Sequence, residues 1–287
     1  MIRTRVLVGS LLALAAAGVL VGDASLAPWF PCLFACLVVA GVFATCELVR
    51  LLPPIFRPPE WLAVAGVLLT LAANWYDVLQ RETGTWLLAA GSPWLPVLCA
   101  FTVVLLAAFL VEMYRFREPG AAVPRLALTV FAVAYLGLLG SCFARLRWLP
   151  EHSGLILTLT IFVPKCGDIG AFFTGRFLGR HRMTPILSPK KTWEGFAGGL
   201  SASVLTAVGL SFVGPVFAGG IPEATAFGAV VGVAGVLGDL AESLIKRDCQ
   251  TKDAAKSIPG FGGLLDVIDS ILFGAPVAYV WFSWRAA

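Results

Sequence analysis

The sequence predicts an all-α, polytopic integral membrane protein. Of its 287 residues, 59% are hydrophobic and 13% are charged, and the mean hydropathy is +0.88. A soluble domain carries roughly a quarter of charged residues, about twice the share found here. Apolar runs of about 20 residues, the length of a membrane-crossing helix, recur from end to end. These runs are continuous rather than alternating, which excludes a transmembrane β-barrel.

We expect about nine transmembrane helices. Their approximate ranges are 4–22, 28–49, 60–79, 86–112, 125–144, 154–174, 195–216, 224–244 and 264–284. The third range is the weakest, because Asn74 and Asp77 interrupt its apolar run. Arg3 and Arg5 before the first run imitate a signal peptide, but the many later spans favour an uncleaved first helix.

The distribution of basic residues predicts the orientation. With the N-terminus in the cytoplasm, 16 of the 21 Lys and Arg residues fall on the cytoplasmic side and 4 on the outer side, while Lys165 lies within a span. Cytoplasmic loops of membrane proteins are enriched in Lys and Arg. Arginine outnumbers lysine 15 to 6, which indicates a GC-rich bacterial source. We therefore expect a protein of the bacterial cytoplasmic membrane with its N-terminus inside.

Two regions of the chain differ in their chemistry. Residues 1–153 hold hydrophobic helices with short loops, and we interpret Glu47, Asn74 and Asp77 there as helix-end or interface groups. Residues 154–287 hold nearly all the unusual polar residues, together with the longer cytoplasmic loops. The chain has 2 histidines, which lie far apart and exclude a His-rich metal site.

Charge is densest between Gly238 and Ser270, beside the last two predicted spans. Among its charged residues, four acids and four bases are candidates for a site, which are Asp239, Glu242, Asp266, Asp269, Lys246, Arg247, Lys252 and Lys256. Charge beside membrane spans is expensive unless it is used, so it marks a functional site by default. Acids suit a divalent cation and bases suit phosphates. The stretch therefore indicates nucleotide chemistry at the membrane surface.

Helical spacing predicts which of these residues share a face. Four residues at positions i, i+3, i+4 and i+7 would look into one cavity, namely Asp239, Glu242, Ser243 and Lys246. Lys246 and Arg247 also suit interfacial anchors, since they end an apolar run. Asp266 and Asp269 lie at i,i+3 at the start of the last span, where two acids bind Mg²⁺ or cap the helix.

Two further segments complete the candidate site. The turn at 259–263 has three glycines in four positions, which let the backbone approach a ligand or form an ordinary turn. Upstream, Asp168 lies inside the sixth predicted span. Basic residues follow on the cytoplasmic side, among them Arg176, Arg180, Lys190 and Lys191. They suit either nonspecific contact with anionic lipids or the phosphate of a lipid substrate or nucleotide.

Two motifs carry a resemblance to a known family. The first begins at Ser243 and reads SLIKR-x4-KD-x5-PGFGG-x2-D-x2-DS; the second begins at Asp168 and contains GRFLGR and SPKKTWEG. In their order and spacing over residues 165–270 they closely resemble the phosphatidate cytidylyltransferases, the CDP-diacylglycerol synthases. The chain departs from the family's usual pattern at Phe261, where His is common, and at Val267, where Arg is common.

The resemblance implies a nucleotidyltransferase that converts CTP and phosphatidate to CDP-diacylglycerol and pyrophosphate for phospholipid biosynthesis. The implied catalytic residues are Asp239, Lys246, Asp266 and Asp269. A site for Mg²⁺, alone or with a second cation, is expected at Asp239, Ser243, Asp266 and Asp269. The expected substrate-binding residues are Arg176, Ser188, Lys190, Lys191, Arg247, Lys252, Asp253, Gly262 and Gly263. Among the lysines, we assign Lys246 and Lys252 to CTP, and Lys190 and Lys191 to phosphatidate.

Two other functions stay open at this point. A CTP-dependent polyprenol or lipid kinase would transfer the γ-phosphoryl group to an alcohol. A secondary transporter would couple midplane charges to ions, although the acids cluster at one edge and no inverted repeat is found. The expected partners are CTP, phosphatidate and membrane lipids, with no nucleic acid, and the resemblance also implies a homodimer.

Overall fold

The computed structural model describes residues 9, 11, 14–20, 22–84, 92–251, 255 and 262–286. Ten α-helices and one short β-hairpin make up its main elements. In chain order these are α1 (Pro31–Leu51), α2 (Glu60–Ala72), α3 (Tyr76–Thr83), α4 (Leu95–Arg115), α5 (Ala122–Ala132), α6 (Leu139–Arg145), α7 (Ser153–Leu178), β1 (Arg182–Thr184), β2 (Ser188–Thr192), α8 (Trp193–Ser211), α9 (Gly220–Asp248) and α10 (Leu265–Ala286). The predicted all-α class is confirmed.

Seven helical stretches in the described part of the chain are long and apolar enough to cross a membrane. They are Pro31–Leu51, Glu60–Thr83, Leu95–Arg115, Ala122–Trp148, Ser153–Leu178, Gly220–Asp248 and Leu265–Trp284. The protein is therefore a polytopic integral membrane protein, as predicted, but the count of nine spans is not confirmed. About half of the predicted span 4–22 lies outside the described residues, and its described part belongs to a shorter apolar helix, Leu14–Leu26. The predicted span 195–216 corresponds to α8, whose 19 residues include glycines and serines that lower its hydropathy.

The weakest predicted span is present, and Asn74 lies in a short irregular turn within it. Between α2 and α3 the backbone tightens into a 3₁₀ turn at Ala73–Trp75. The buried Asn74 amide donates to the carbonyl oxygen of Leu71 at 2.9 Å and to Ser141 Oγ at 2.9 Å. A polar side chain that finds partners inside the protein is tolerated within a span. The interpretation of Asn74 as an interface group agrees with these contacts.

The chain divides into two compact units. The first comprises residues 1–144 and 254–265, and the second comprises residues 145–253 and 266–287. The sequence-based division after residue 153 rests on where polar chemistry lies, and it stays a prediction. In the first unit, a partly buried ion pair of 2.8 Å joins Arg125 to Glu112. On α4, Leu106 and Leu110 are exposed, which gives that helix an apolar face suited to lipid.

Glu47, near the end of α1, has a defined task within the first unit. Its buried carboxylate accepts hydrogen bonds from the backbone N–H of Leu264 at 3.0 Å and of Leu265 at 2.9 Å. Leu265 is the first residue of α10. The N–H groups of a helix's first turn lack partners within the helix, and a carboxylate there satisfies them. Glu47 is therefore a helix-end group, as its interpretation from the sequence expects.

In the second unit, a line of glycines lets α9 pack tightly against its neighbours. The line consists of Gly228, Gly232, Gly235 and Gly238. A Cβ atom added at Gly232 would lie 2.8 Å from Ser203 Cβ on α8, and one added at Gly235 would lie 2.7 Å from Pro164 Cβ on α7. Small residues at helix contacts permit close backbone approach inside a membrane. The line ends at Gly238, which packs against the backbone of Asp269 on α10.

Candidate active site

Five carboxylates and three lysines of the second unit form one connected group, called here the charged cluster. It consists of Asp168, Asp239, Glu242, Asp266, Asp269, Lys165, Lys191 and Lys246. Helices α7, α9 and α10 and strand β2 supply these residues. All of the predicted catalytic residues belong to the charged cluster.

Lys246 links α9 to α10 through two carboxylates. Its Nζ atom lies 2.7 Å from Glu242 Oε2, one helical turn away, and 2.6 Å from Asp266 Oδ1 on α10. The Lys246 side chain is 11% exposed and that of Glu242 is 1% exposed. A lysine anchored at the membrane interface would extend its ammonium group to water. The structure instead places this ammonium group against the buried Glu242 and the part-buried Asp266, which does not fit the anchor interpretation of Lys246.

Asp239 lies one turn before Glu242 on the same helix face. Its Oδ2 atom lies 2.8 Å from Lys191 Nζ, and Ser243 Oγ lies 3.5 Å from its Oδ1 atom. About a third of the Asp239 side chain is exposed. The predicted one-sided arrangement on α9 is therefore present, and it extends to a lysine of the hairpin.

Asp269 and Asp168 form the third part of the charged cluster. Lys165 lies 3.2 Å from Asp168 Oδ2 and 3.4 Å from Asp269 Oδ1. The Oγ atom of Ser270 donates to Asp168 Oδ2 at 3.3 Å, and its backbone N–H donates to Asp269 Oδ1 at 2.6 Å. These contacts join the middle of α7 to the first turns of α10.

The geometry around Asp269 fits a divalent cation. Carboxylate oxygens of Asp239, Glu242 and Asp269 all lie within 4.8 Å of one another. In the described part of the chain, the buried Oε1 atom of Glu242 has no hydrogen-bond partner. With every group counted as ionised, the five carboxylates and three ammonium groups of the charged cluster give a formal charge of −2. Hard cations such as Mg²⁺ prefer oxygen ligands of this kind. The structure thus brings two predicted metal ligands together with Glu242, while Asp266 contacts Lys246.

The SPKKTWEG motif forms strand β2 and the start of α8. Strand β1 pairs with β2 in an antiparallel hairpin. Thr192 is the N-cap of α8, and its Oγ1 atom accepts the backbone N–H of Gly195 at 3.1 Å. Glu194 accepts the backbone N–H groups of Arg180 and His181. The His181 ring, 2.6 Å away, lowers the pKa of the Glu194 carboxyl to about 2.

The hairpin separates the two neighbouring lysines of the motif. Successive side chains of a strand point to opposite faces. Lys191 accordingly turns inwards to Asp239, whereas Lys190 is exposed. From the sequence, both lysines are assigned to phosphatidate. Their different orientations follow from a strand that is not expected in an all-α chain.

The other predicted substrate residues lie around this centre. Arg176 is exposed near the end of α7, and Ser188 is half-buried at the start of β2. Arg247 is exposed; its Nε atom donates to the carbonyl oxygen of Leu187 at 3.2 Å and ties α9 to the hairpin. Lys252, Asp253, Lys256 and Phe261 lie outside the described residues.

The two described glycines of the turn have structural reasons to be glycine. Gly262 has a φ angle of 108°, a conformation that side chains disfavour. A Cβ atom added at Gly263 would lie 2.5 Å from Glu47 Oε2 within the first unit. At Gly263, the backbone of this turn therefore approaches a carboxylate of the protein itself.

Sequence reasoning gives no role to Lys165 and no assigned role to Glu242, and it does not connect Glu47 to the turn. The i,i+3 spacing of Lys165 and Asp168 inside one span is a signal for their pairing. The position of Glu242 on the Asp239 face is a signal for its place in the site. Nothing in the sequence indicates that Glu47, more than 200 residues upstream, meets Leu264.

A model of the cytidylyltransferase family matches residues 3–284 of the chain. The chain belongs to the cytidylyltransferase family. It is 32% identical over 216 residues to a phosphatidate cytidylyltransferase of Staphylococcus haemolyticus, which covers 75% of this chain and 78% of that protein. It is 34% identical over 184 residues to that of Bacillus subtilis, with 62% and 65% coverage. It is 36% identical over 171 residues to that of Mycobacterium bovis, with 57% and 52% coverage.

The chain spans about half the length of the mycobacterial relatives that it matches. The family resemblance expected from the two motifs is nevertheless confirmed, since the family model covers nearly the whole chain.

Replacing Lys246 with Met should destabilise the protein, because it removes the cation that Glu242 and Asp266 share. Removing one partner of a buried ion pair costs about 3–5 kcal/mol. The thermal unfolding midpoint of the purified protein in detergent should fall clearly. Adding Glu242→Gln to this variant should restore part of the loss, because one stranded charge disappears.

The control for Lys246→Met is the exposed ion pair Arg50–Glu60, at 2.9 Å with side chains 67% and 38% exposed. Exposed pairs of this kind contribute little to stability. Arg50→Met should therefore leave the midpoint almost unchanged. Equal midpoints for Lys246→Met and Arg50→Met would contradict the burial argument.

Proposed function

We propose that the protein transfers the cytidylyl group of CTP to phosphatidate, giving CDP-diacylglycerol and pyrophosphate. The observation that carries the proposal is the charged cluster on membrane-spanning helices of a chain in the cytidylyltransferase family. Curated relatives that match this chain are named phosphatidate cytidylyltransferase, which supports the choice of both substrates. A membrane-embedded site suits a lipid whose acyl chains stay in the bilayer.

The chemistry requires neutralisation of charge more than it requires a base. A phosphate oxygen of phosphatidate attacks the α-phosphorus of CTP, and the bond from that phosphorus to the oxygen bridging to the β-phosphorus breaks. Pyrophosphate leaves with the bonding electrons. The nucleophile is already an anion, so Phe261 in place of the family's common His presents no obstacle. The remaining task is to bring two polyanions together and to stabilise the charge that develops.

We further propose Mg²⁺ as the cofactor, held by Asp239 and Asp269. Glu242 lies within reach of the same ion, and Ser243 lies beside Asp239. Asp266 is a candidate ligand through the family resemblance, and it contacts Lys246 in the structure. When bound, Mg²⁺ would neutralise charge on the α-phosphoryl group and on the leaving pyrophosphate.

The basic residues fall into two groups for the two substrates. Lys246, Arg247 and Lys252 belong to the acid-rich motif, and we assign them to the phosphates of CTP. Arg176, Lys190 and Lys191 flank the hairpin, and we assign them to the phosphate of phosphatidate. The contact of Lys191 with Asp239 supports a meeting of the two phosphates near this carboxylate.

We place the site on the cytoplasmic side of a bacterial inner membrane, where CTP is available. The basic asymmetry of 16 to 4 supports this orientation. A homodimer is proposed from the family resemblance alone.

The reaction is tested with purified protein, phosphatidate in mixed micelles, Mg²⁺ and CTP labelled at the α-phosphate. The label should enter a CDP-lipid with release of pyrophosphate. Asp266→Asn should lower turnover by roughly 100-fold or more while the protein still folds, because it removes one charge of the site. Release of CDP instead would favour the lipid kinase, and uptake into sealed vesicles without CTP consumption would favour a transporter.

The two lysines of the hairpin provide a matched pair for substrate assignment. A phosphate-paired cation contributes about 1.5–3 kcal/mol, or roughly 10- to 150-fold. Lys191→Ala should raise the surface concentration of phosphatidate needed for half-maximal rate within this range, and Lys190→Ala should do so to a smaller extent because Lys190 is exposed. Lys246→Ala should mainly raise the requirement for CTP. Equal effects on both substrates in all three variants would reject the assignment.

The orientation is tested with single cysteines in a background without native ones. Ile186 lies in the hairpin turn and is 90% exposed, whereas Glu151 is exposed in the predicted outer loop. An impermeant thiol reagent added to intact cells should label Glu151→Cys and leave Ile186→Cys unmodified until the membrane is permeabilised. The reverse pattern would refute the proposed orientation.

A further inference from the structure

Lys165 is a charged residue in the middle of a membrane span. It is the thirteenth of the 26 residues of α7, so it lies roughly 18 Å along the helix from its first residue. An unpaired lysine at the centre of a span costs about 3 kcal/mol on insertion scales. Lys165 is neither one of the predicted site residues nor assigned to a substrate.

The ammonium group of Lys165 bridges carboxylates on two different helices. It contacts Asp168 on its own helix at 3.2 Å and Asp269 on α10 at 3.4 Å. Ser270 bonds both of these acids as well, through its hydroxyl and its backbone N–H. The Lys165 side chain is 26% exposed, so the bridge is not sealed inside the protein.

The bridge fixes how the Asp269 carboxylate is turned. The contacts from Lys165 and from Ser270 N–H both end on Oδ1. In the part of the chain that the structure describes, Oδ2 has no hydrogen bond. One carboxylate oxygen of Asp269 lies within 4.8 Å of a carboxylate oxygen of Asp239 and of Glu242. Lys165 thus holds one oxygen of Asp269 and leaves the other available to a ligand.

Lys165 also determines the net charge of the charged cluster. With every group counted as ionised, five carboxylates face three ammonium groups and a formal charge of −2 remains. That charge is equal in size and opposite in sign to the charge of one divalent cation. Without Lys165 the charged cluster would carry three negative charges, and Asp168 and Asp269 would lie side by side with no cation between them.

We propose that Lys165 is a positioning residue of the active site, a built-in counter-ion that orients Asp269 and matches the charged cluster to one divalent cation. This inference rests on the proposed function for its catalytic consequence. The role requires a cation with N–H donors at this place, not a side chain of a particular size. Apolar residues in place of a buried ion pair are often as stable or more stable, so stability alone does not call for a lysine here.

Lys165→Ala tests the proposal by chemical rescue. Turnover with CTP and phosphatidate should fall by roughly 10- to 100-fold, the range for residues that orient metal ligands. Added methylammonium should restore part of it, because the shortened side chain leaves room for a small cation that donates hydrogen bonds. Tetramethylammonium at the same ionic strength should not restore turnover, because it has no N–H donors.

A second readout does not depend on activity. In the presence of a chelator, the thermal midpoint of Lys165→Ala should lie below that of the parent, and methylammonium should raise it in the variant but not in the parent. If the parent makes no CDP-lipid under any condition, the proposed function fails, while this selective stabilisation still reports on the bridge.

Arg125→Ala is the control for the loss of an ion pair elsewhere. Arg125 pairs with Glu112 in the first unit, outside the charged cluster. This variant should have a lower thermal midpoint, unchanged turnover per folded protein, and no response of turnover to methylammonium. A similar loss of turnover in Arg125→Ala would mean that any broken ion pair has this effect, which would overturn the proposal.

Two longer variants keep the test decisive if Lys165→Ala does not fold. Lys165→Arg retains the charge and should retain most of the thermal midpoint and turnover, whereas Lys165→Met retains the length and should lose both. Full turnover in Lys165→Met would overturn the proposal. A loss in Lys165→Ala with no response to methylammonium in either readout would do so as well, because Lys165 would then act through packing.

Discussion

The structure depends on pairing five carboxylates with lysines on helices that cross a membrane. Each carboxylate of the charged cluster contacts a lysine or shares a small region with an acid that does. An isolated charge in such surroundings is expensive, and breaking a buried pair leaves its partner stranded. Removing one of the three lysines while its acids remain would therefore leave carboxylates of the second unit without their cation.

The packing of α9 makes this pairing geometrically attainable. Salt-bridge lengths of about 2.6–3.4 Å between different helices require backbones that approach closely. The glycine line of α9 provides that approach, since Gly235 meets Pro164 next to Lys165, and Gly238 meets the backbone of Asp269. Small and charged residues thus have different tasks on one helix. The glycines permit the close approach of neighbouring helices, and this approach brings Asp239 and Glu242 near the charged residues of those helices.

Continuous apolar runs are enough to predict the membrane class and most of the spans. Helical spacing is enough to predict the shared face of α9. It could not give partners that are distant in the chain. The contact of Lys191 with Asp239 depends on a hairpin whose two strands are three and five residues long, too short to stand out among the helical patterns. Glu47 and Gly263 meet through folding of the first unit alone. The two residues are far apart in the chain, and no spacing pattern in the sequence indicates that they meet.

The composition of the charged cluster also bears on the type of reaction it suits. A general base would be needed if the nucleophile were an alcohol, and histidine is the common choice. In the described part of the chain, the charged cluster contains carboxylates and ammonium groups but no imidazole. The turn has Phe261 where related sequences commonly have histidine. A phosphate nucleophile is already an anion when it binds, so it needs no base to remove a proton. A site made of carboxylates and ammonium groups therefore suits it. The same feature that makes the membrane location costly, an excess of carboxylates over lysines, is then the feature that would attract the proposed divalent cation.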